Sequence, residues 1–204
     1  MTPAEIASAL EEGAVAVDTR PLQPFAAGHL PGAVHVEFNL ADLAERAALL
    51  LPRGLAAVVH AEPARTVEAS VGLLEDAGLR VLGHLAGGLA AWSAEGRPQE
   101  ALPCIDVAEL HARRERFLVL DVRERYEFVH GHLAGARLLP SGEVWAAPDD
   151  AVPRGQPVAV FCSGYGRAAF AASALARRGV DAVLVRGGMY EWQGHGYPVV
   201  VGDG

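Results

Sequence analysis

The chain of 204 residues carries a formal charge of -8 and a sequence pI near 5.4, and 51% of it is hydrophobic. An acidic chain of this kind is a poor match for nucleic acid or an anionic membrane, which select basic surfaces, so small molecules or proteins are the expected partners. All 17 basic residues are arginine, which excludes lysine chemistry, and the only cysteines, Cys104 and Cys162, make neither a disulfide framework nor a paired-thiol metal motif.

From the N-terminus, MTPAEIASAL is acidic and poor in apolar residues, unlike a signal peptide, and no apolar run reaches membrane-spanning length. With so few cysteines, a soluble protein of the reducing cytoplasm is the expectation. Thr2 stands where a helix N-cap would, ahead of PAEIASAL, and Gly78 where a later helix should stop. A proline-bearing polar stretch, EGRPQEALPC at 95–104, reads as a linker. After it, Asp106 is a second candidate N-cap, and the short runs FLVLD, ARLLP, PVAVFC and DAVLV read as strands buried on both faces, with Gly179 ending the helix between the last two.

The chain is written twice. AVAVDTR (14–20) matches LVLDVR (118–123), FAAGHLPGAVHV (25–36) matches FVHGHLAGARLL (128–139), and HLAGGLAAWSAEGRP (84–98) matches LVRGGMYEWQGHGYP (184–198). Strands alternating with helices in each half predict an α/β fold, two domains over 1–99 and 100–204, each a mainly parallel sheet with helices on both faces.

The chemistry-bearing feature is VAVFCSGYGRAAFAASALARRG at 158–179. Cys162 ends an apolar strand, and a helix is expected from near Arg167. In α/β domains ligands bind beyond the carboxyl ends of the strands. A loop of Cys162, Ser163, Gly164, Tyr165, Gly166 and Arg167 is expected to curl its N–H groups inward, with Gly164 and Gly166 supplying positive φ. Amides and the helix N-terminus then favour thiolate, moving a free cysteine from about 8.5 to roughly 3.5–7.5.

Together these motifs resemble those of the tandem rhodanese-domain sulfurtransferases, over essentially the whole chain. The resemblance rests on Asp121-Val122-Arg123, on Gly131-His132-Leu133-Ala134-Gly135-Ala136, on the six-residue loop from Cys162 to Arg167, and on Gly187-Gly188 with Trp192. It implies that Cys162 takes the sulfane sulfur of a donor such as thiosulfate, forms a persulfide, and passes the sulfur to a thiol or cyanide, with no cofactor and no metal. The family loop is usually C-x-x-G-x-R, whereas Tyr165 holds the fourth position here. Ser163 and Gly164 are neutral where thiosulfate-preferring members tend to be basic, which leaves mercaptopyruvate or a protein persulfide open as donor.

The resemblance also places Arg123 and Arg125 near the site mouth. Arg125 and, less directly, Arg123 are candidate substrate cations. Arg167 either binds substrate anion or anchors the loop, and Tyr165 either lines the entrance or is simply exposed. Asp121 and Asp18, Arg20, His29 and His132 recur in both halves and read as scaffold. The Gly-Gly and Trp pairs, Gly87-Gly88 with Trp92 and Gly187-Gly188 with Trp192, read as a tight turn and core anchor. Cys104 is a resolving thiol or a buried small residue.

In the first half, AAVVHAEPARTVEASVGLLEDAG puts His60 in the nucleophile's place, Glu62 brings a negative charge, and Pro63 removes an N–H, so this domain is expected to be inactive. His60 reads as structural, since no second ligand stands at metal-ligand spacing. The charge divides to match: six arginines against twelve acids before residue 100, eleven against thirteen after it. Two rivals remain. A phosphatase or arsenate reductase would use C-x5-R, and the interval here is C-x4-R. A persulfide carrier fed by a partner sulfur-relay protein would need the same Cys162.

Overall fold

The computed structural model describes residues 1–202, which fall into two units, Met1–Ala101 and the residues from Leu102 onward. In the first, α1 (Pro3–Glu11), β1 (Val15–Asp18), α2 (Leu22–Ala27), β2 (Val34–His35), α3 (Leu43–Leu50), β3 (Ala56–His60), α4 (Val67–Asp76), β4 (Arg80–His84) and α5 (Gly88–Ala94) follow one another. The second runs β5 (Cys104–Asp106), α6 (Val107–Ala112), β6 (Leu118–Asp121), α7 (Arg125–His130), β7 (Arg137–Leu138), α8 (Ser141–Val144), β8 (Val158–Phe161), α9 (Gly166–Arg177), β9 (Ala182–Arg186) and α10 (Gly188–Gly194). The sheets have strand orders β2-β1-β3-β4 and β5-β9-β8-β6-β7, and every named pairing is parallel. Every residue of β1 and of β8 is buried, which explains why these strands are unbroken apolar runs rather than alternating ones.

Local chemistry sets the boundaries. Thr2 and Glu5 form a reciprocal capping box at α1, and the Asp106 carboxylate accepts from the Glu109 amide at 2.7 Å at the start of α6. Gly78 and Gly179, at φ +91° and +77°, follow the C-caps of α4 and α9 in the left-handed conformation that stops a helix without a Cβ penalty. Ala168 to Leu175 are all buried, so α9 is enclosed around its circumference, its alanines and Ser173 letting neighbours close in while Phe170 and Leu175 fill the core.

The stretch 95–104, expected as a linker, is built into the units at both ends. His29 and Glu100 exchange two backbone hydrogen bonds of 2.9 and 3.0 Å, and Cys104 lies in the edge strand β5, paired with Leu184. A three-residue strand behind a proline offers no periodicity to read, which is why it went unpredicted.

Strand register corrects one expectation. Asp18 pairs with His60, and its counterpart Asp121 pairs with Phe161. The next backbone bond repeats the match, from the Thr19 amide to the His60 carbonyl and from the Val122 amide to the Phe161 carbonyl, both at 2.8 Å. His60 therefore stands where Phe161 stands, and Ala61 takes the position of Cys162. Matching by text missed this because the chain between the paired residues is two residues longer in the first half.

Candidate active site

Cys162 follows the last residue of β8 and is 2% exposed. Its carbonyl and that of Ser163 accept from the amides of Met189, at 2.8 Å, and Tyr190, at 3.1 Å, in the first turn of α10. With the carbonyls drawn outward, the amides of Ala168 and Gly164 are left to hydrogen-bond the sulfur. This corrects the expected source of the curl. Neither Gly164 nor Gly166 has positive φ, and a Cβ at either would meet nothing within 4 Å. The glycine the loop requires is Gly188, at φ +56°, where a Cβ would lie 2.3 Å from the Cys162 carbonyl oxygen and 2.6 Å from that of Gly164.

The far end of the loop is clamped by a residue the sequence did not single out. Glu127 of α7 holds Arg167 through both carboxylate oxygens, the Nη2 contact being 2.8 Å, and accepts from Ser163 Oγ at 2.8 Å. Arg167 Nη2 also donates to Ser163 Oγ at 2.9 Å. Hydrogen bonding from Arg167, against some burial, holds the Glu127 carboxyl at about 2, and Glu127 in turn raises Arg167 above its ordinary value. Arg167 thereby ties the end of the loop to α7. Glu127 also caps its own helix, accepting from the Glu124 amide, and this local role was the one signal available to sequence.

Arg123, expected as a candidate substrate cation, has its charge met within the fold. It is buried, forked onto Asp121, and donates to the Gly131 carbonyl at 2.8 Å. Arg20 repeats this with Asp18 and Gly28. Arg125 is exposed at the first position of α7, and Tyr165 is 42% exposed at the N-cap of α9. Cys104 is half-buried, donates to the Leu102 carbonyl, and is pushed up by burial. His29 and His132 stack on Phe25 and Phe128 at 4.1 and 3.7 Å, with Nδ1 on the carbonyl of the same phenylalanine. Trp92 and Trp192 are buried and donate to the carbonyls of Pro98 and Pro198.

Burial pushes the Cys162 thiol above its ordinary value; the amides of Ala168 and Gly164 and the charge of Arg167 pull it down, and Asp121 adds to the rise. The direction is opposite to the one the loop amides alone predict, because removing the sulfur from water outweighs two amides and a cation whose charge Glu127 already meets. Alkylation of the Cys162 thiol should accordingly keep gaining rate as pH rises above neutrality, measured across a pH series; a plateau near neutrality would contradict this.

In the first unit the equivalent loop is filled from within. His60 is buried, with Nδ1 3.1 Å from Asp18 and Nε2 3.3 Å from Glu62. Burial alone would raise the Asp18 carboxyl, but hydrogen bonds from His60 and Arg20 bring it to about 2. Ala61 offers no nucleophile, and Pro24 stands in α2 where Glu127 stands in α7. Among the described residues no group of three His, Cys, Asp or Glu is placed to hold a metal, and no helix is long and apolar enough to cross a membrane.

A family model for the rhodanese-like domain matches residues 2–95 and again 106–195. A sulfurtransferase of Allochromatium vinosum is 30% identical over 94 residues, spanning 46% of this chain and 87% of the relative. Among solved structures, a rhodanese-related protein from Thermoplasma volcanium is 33% identical and covers 48% of this chain and 98% of its own, with a TM-score of 0.47. A thiosulfate sulfurtransferase from Pseudomonas aeruginosa covers 100% of this chain and 43% of its own at 21% identity, with a TM-score of 0.41. The fold and the doubled motif set define a tandem α/β protein. The chain belongs to the rhodanese-like domain family, with one copy of the domain in each half.

Proposed function

We propose that the chain is a sulfurtransferase in which Cys162 of the second unit carries sulfane sulfur as a persulfide. The observation that carries the reading is the loop itself: a lone thiol at the carboxyl end of a central strand, under inward amides, held by α10 on one side and by Glu127 on the other. Deprotonated Cys162 attacks the outer sulfur of a donor such as thiosulfate; the new S–S bond forms as the old one breaks, and sulfite leaves with the bonding pair. An acceptor thiol or cyanide then takes the terminal sulfur and returns Cys162 as thiolate. The kinship with a named sulfurtransferase supports transfer of this kind. The first unit, with Ala61 at the matching position, plays no covalent part.

A second reading concerns the donor. Arg167 and Arg123 are each neutralised by a carboxylate, so neither supplies unspent charge for an anionic donor. This favours a persulfide delivered by a partner protein. Intact mass after incubation with thiosulfate and, separately, mercaptopyruvate is the test, followed by turnover to a thiol. A gain of one sulfur with turnover is expected; no gain with either donor overturns the free-standing enzyme and leaves delivery by a partner.

A further inference from the structure

Beside the loop lies a cavity of about 390 Å³. Tyr126, His130, Ser163, Met189, Tyr190 and Gln193 wall it, so it opens directly onto the residue that follows Cys162. The size is that of a small-molecule site. The charged side chains on the same wall are cancelled internally, Arg123 by Asp121 and Glu127 by Arg167. Such a wall gives an anion no counter-charge and suits a neutral ligand. Tyr126 and Tyr190 are 67% and 76% exposed, which is aromatic surface outside any core, and aromatic faces are favourable neighbours for sulfur.

One group in this wall has its tautomer set by the helix it stands on. His130 Nδ1 lies 2.6 Å from the Tyr126 carbonyl, which can only accept, so Nδ1 carries the proton and Nε2 is the basic nitrogen. The first half lacks the whole set along with its thiol. Where α7 has Tyr126 and His130, α2 has Gln23 and Ala27, and Ala90 of α5 stands in the place of Tyr190.

Building on the sulfur-transfer reading, we propose that this cavity is the acceptor subsite, that it takes a neutral alkyl thiol, and that His130 receives the thiol proton. The acceptor S–H passes its proton to Nε2, and the resulting thiolate attacks the terminal sulfur of the Cys162 persulfide. The Cys162 S–S bond breaks, Cys162 leaves as thiolate, the acceptor departs as a persulfide, and the imidazolium returns its proton to solvent. No external oxidant or reductant enters the balance.

The experiment uses the intact chain. Wild type and His130→Gln are loaded with whichever of thiosulfate or mercaptopyruvate adds sulfur, freed of donor, and mixed with 2-mercaptoethanol or with sulfite, which as a dianion brings no proton to remove. Discharge to 2-mercaptoethanol should slow at least about tenfold in His130→Gln, while discharge to sulfite and to an aryl thiol already ionised at the assay pH stays within about twofold. Tyr190→Ala, at an exposed position, should raise the 2-mercaptoethanol concentration for half-maximal discharge several-fold and leave sulfite untouched. Equal slowing toward all acceptors, or none toward 2-mercaptoethanol, overturns the subsite. A wild type that gains no sulfur, read by mass before any acceptor is added, overturns the sulfur-transfer reading and this one with it.

Discussion

Replacing Cys162 with serine is expected to lower sulfur transfer at least about a thousandfold, with stability changed by less than about 1 kcal/mol. The hydroxyl is the smaller group and can still accept from the Ala168 and Gly164 amides, so the loop keeps its partners. What it loses is the polarizable sulfur that forms and releases an S–S bond. The only other thiol, Cys104, lies in edge strand β5, half-buried and shifted up by burial, so it should not take over. Cys104→Ser should therefore load like wild type. Intact mass of the two variants decides the point: sulfur on Cys162→Ser would move the chemistry to Cys104.

Gly188→Ala should be the most damaging change that leaves every chemical group in place. At φ +56° an alanine carries a backbone penalty of roughly 1–2 kcal/mol, and its Cβ would meet two loop carbonyls well inside contact distance. The loop must shift away from α10 or α10 from the loop, and either movement loosens the Met189 and Tyr190 bonds that turn the Cys162 and Ser163 carbonyls outward. We expect a loss of about 1–3 kcal/mol in stability and about a hundredfold in transfer, since an ångström of misplacement at a reacting group costs that much. Gly164→Ala, with nothing within 4 Å and no positive φ, is the control and should cost little. Urea midpoints and single-turnover rates for the pair test both halves of the argument; equal losses at 164 and 188 would contradict it.

Much of this was legible before any coordinates. The doubled Asp-x-Arg, Gly-His and Gly-Gly…Trp motifs fixed the two copies, and Thr2, Asp106, Gly78 and Gly179 marked their boundaries because capping is decided within a few residues. What stayed hidden depended on distance along the chain. Glu127 meets Arg167 from 40 residues away, and Gly188 constrains a loop more than twenty positions before it. His60 falls opposite Cys162 by spacing along the chain but opposite Phe161 by strand pairing, and pairing register decides which residue ends a strand. The thiol's upward shift escaped because inward amides can be read from a loop sequence, whereas the depth of the sulfur cannot.

The Asp–Arg fork occurs in both halves, Asp18 with Arg20 and Asp121 with Arg123, each guanidinium also gripping a carbonyl eight residues on. It ties a central strand to the turn that leads into its neighbour. The first half keeps the fork although Ala61 and Pro24 stand where the second has its thiol and its clamp, so the fork is a property of the frame and survives in a copy that bears no nucleophile.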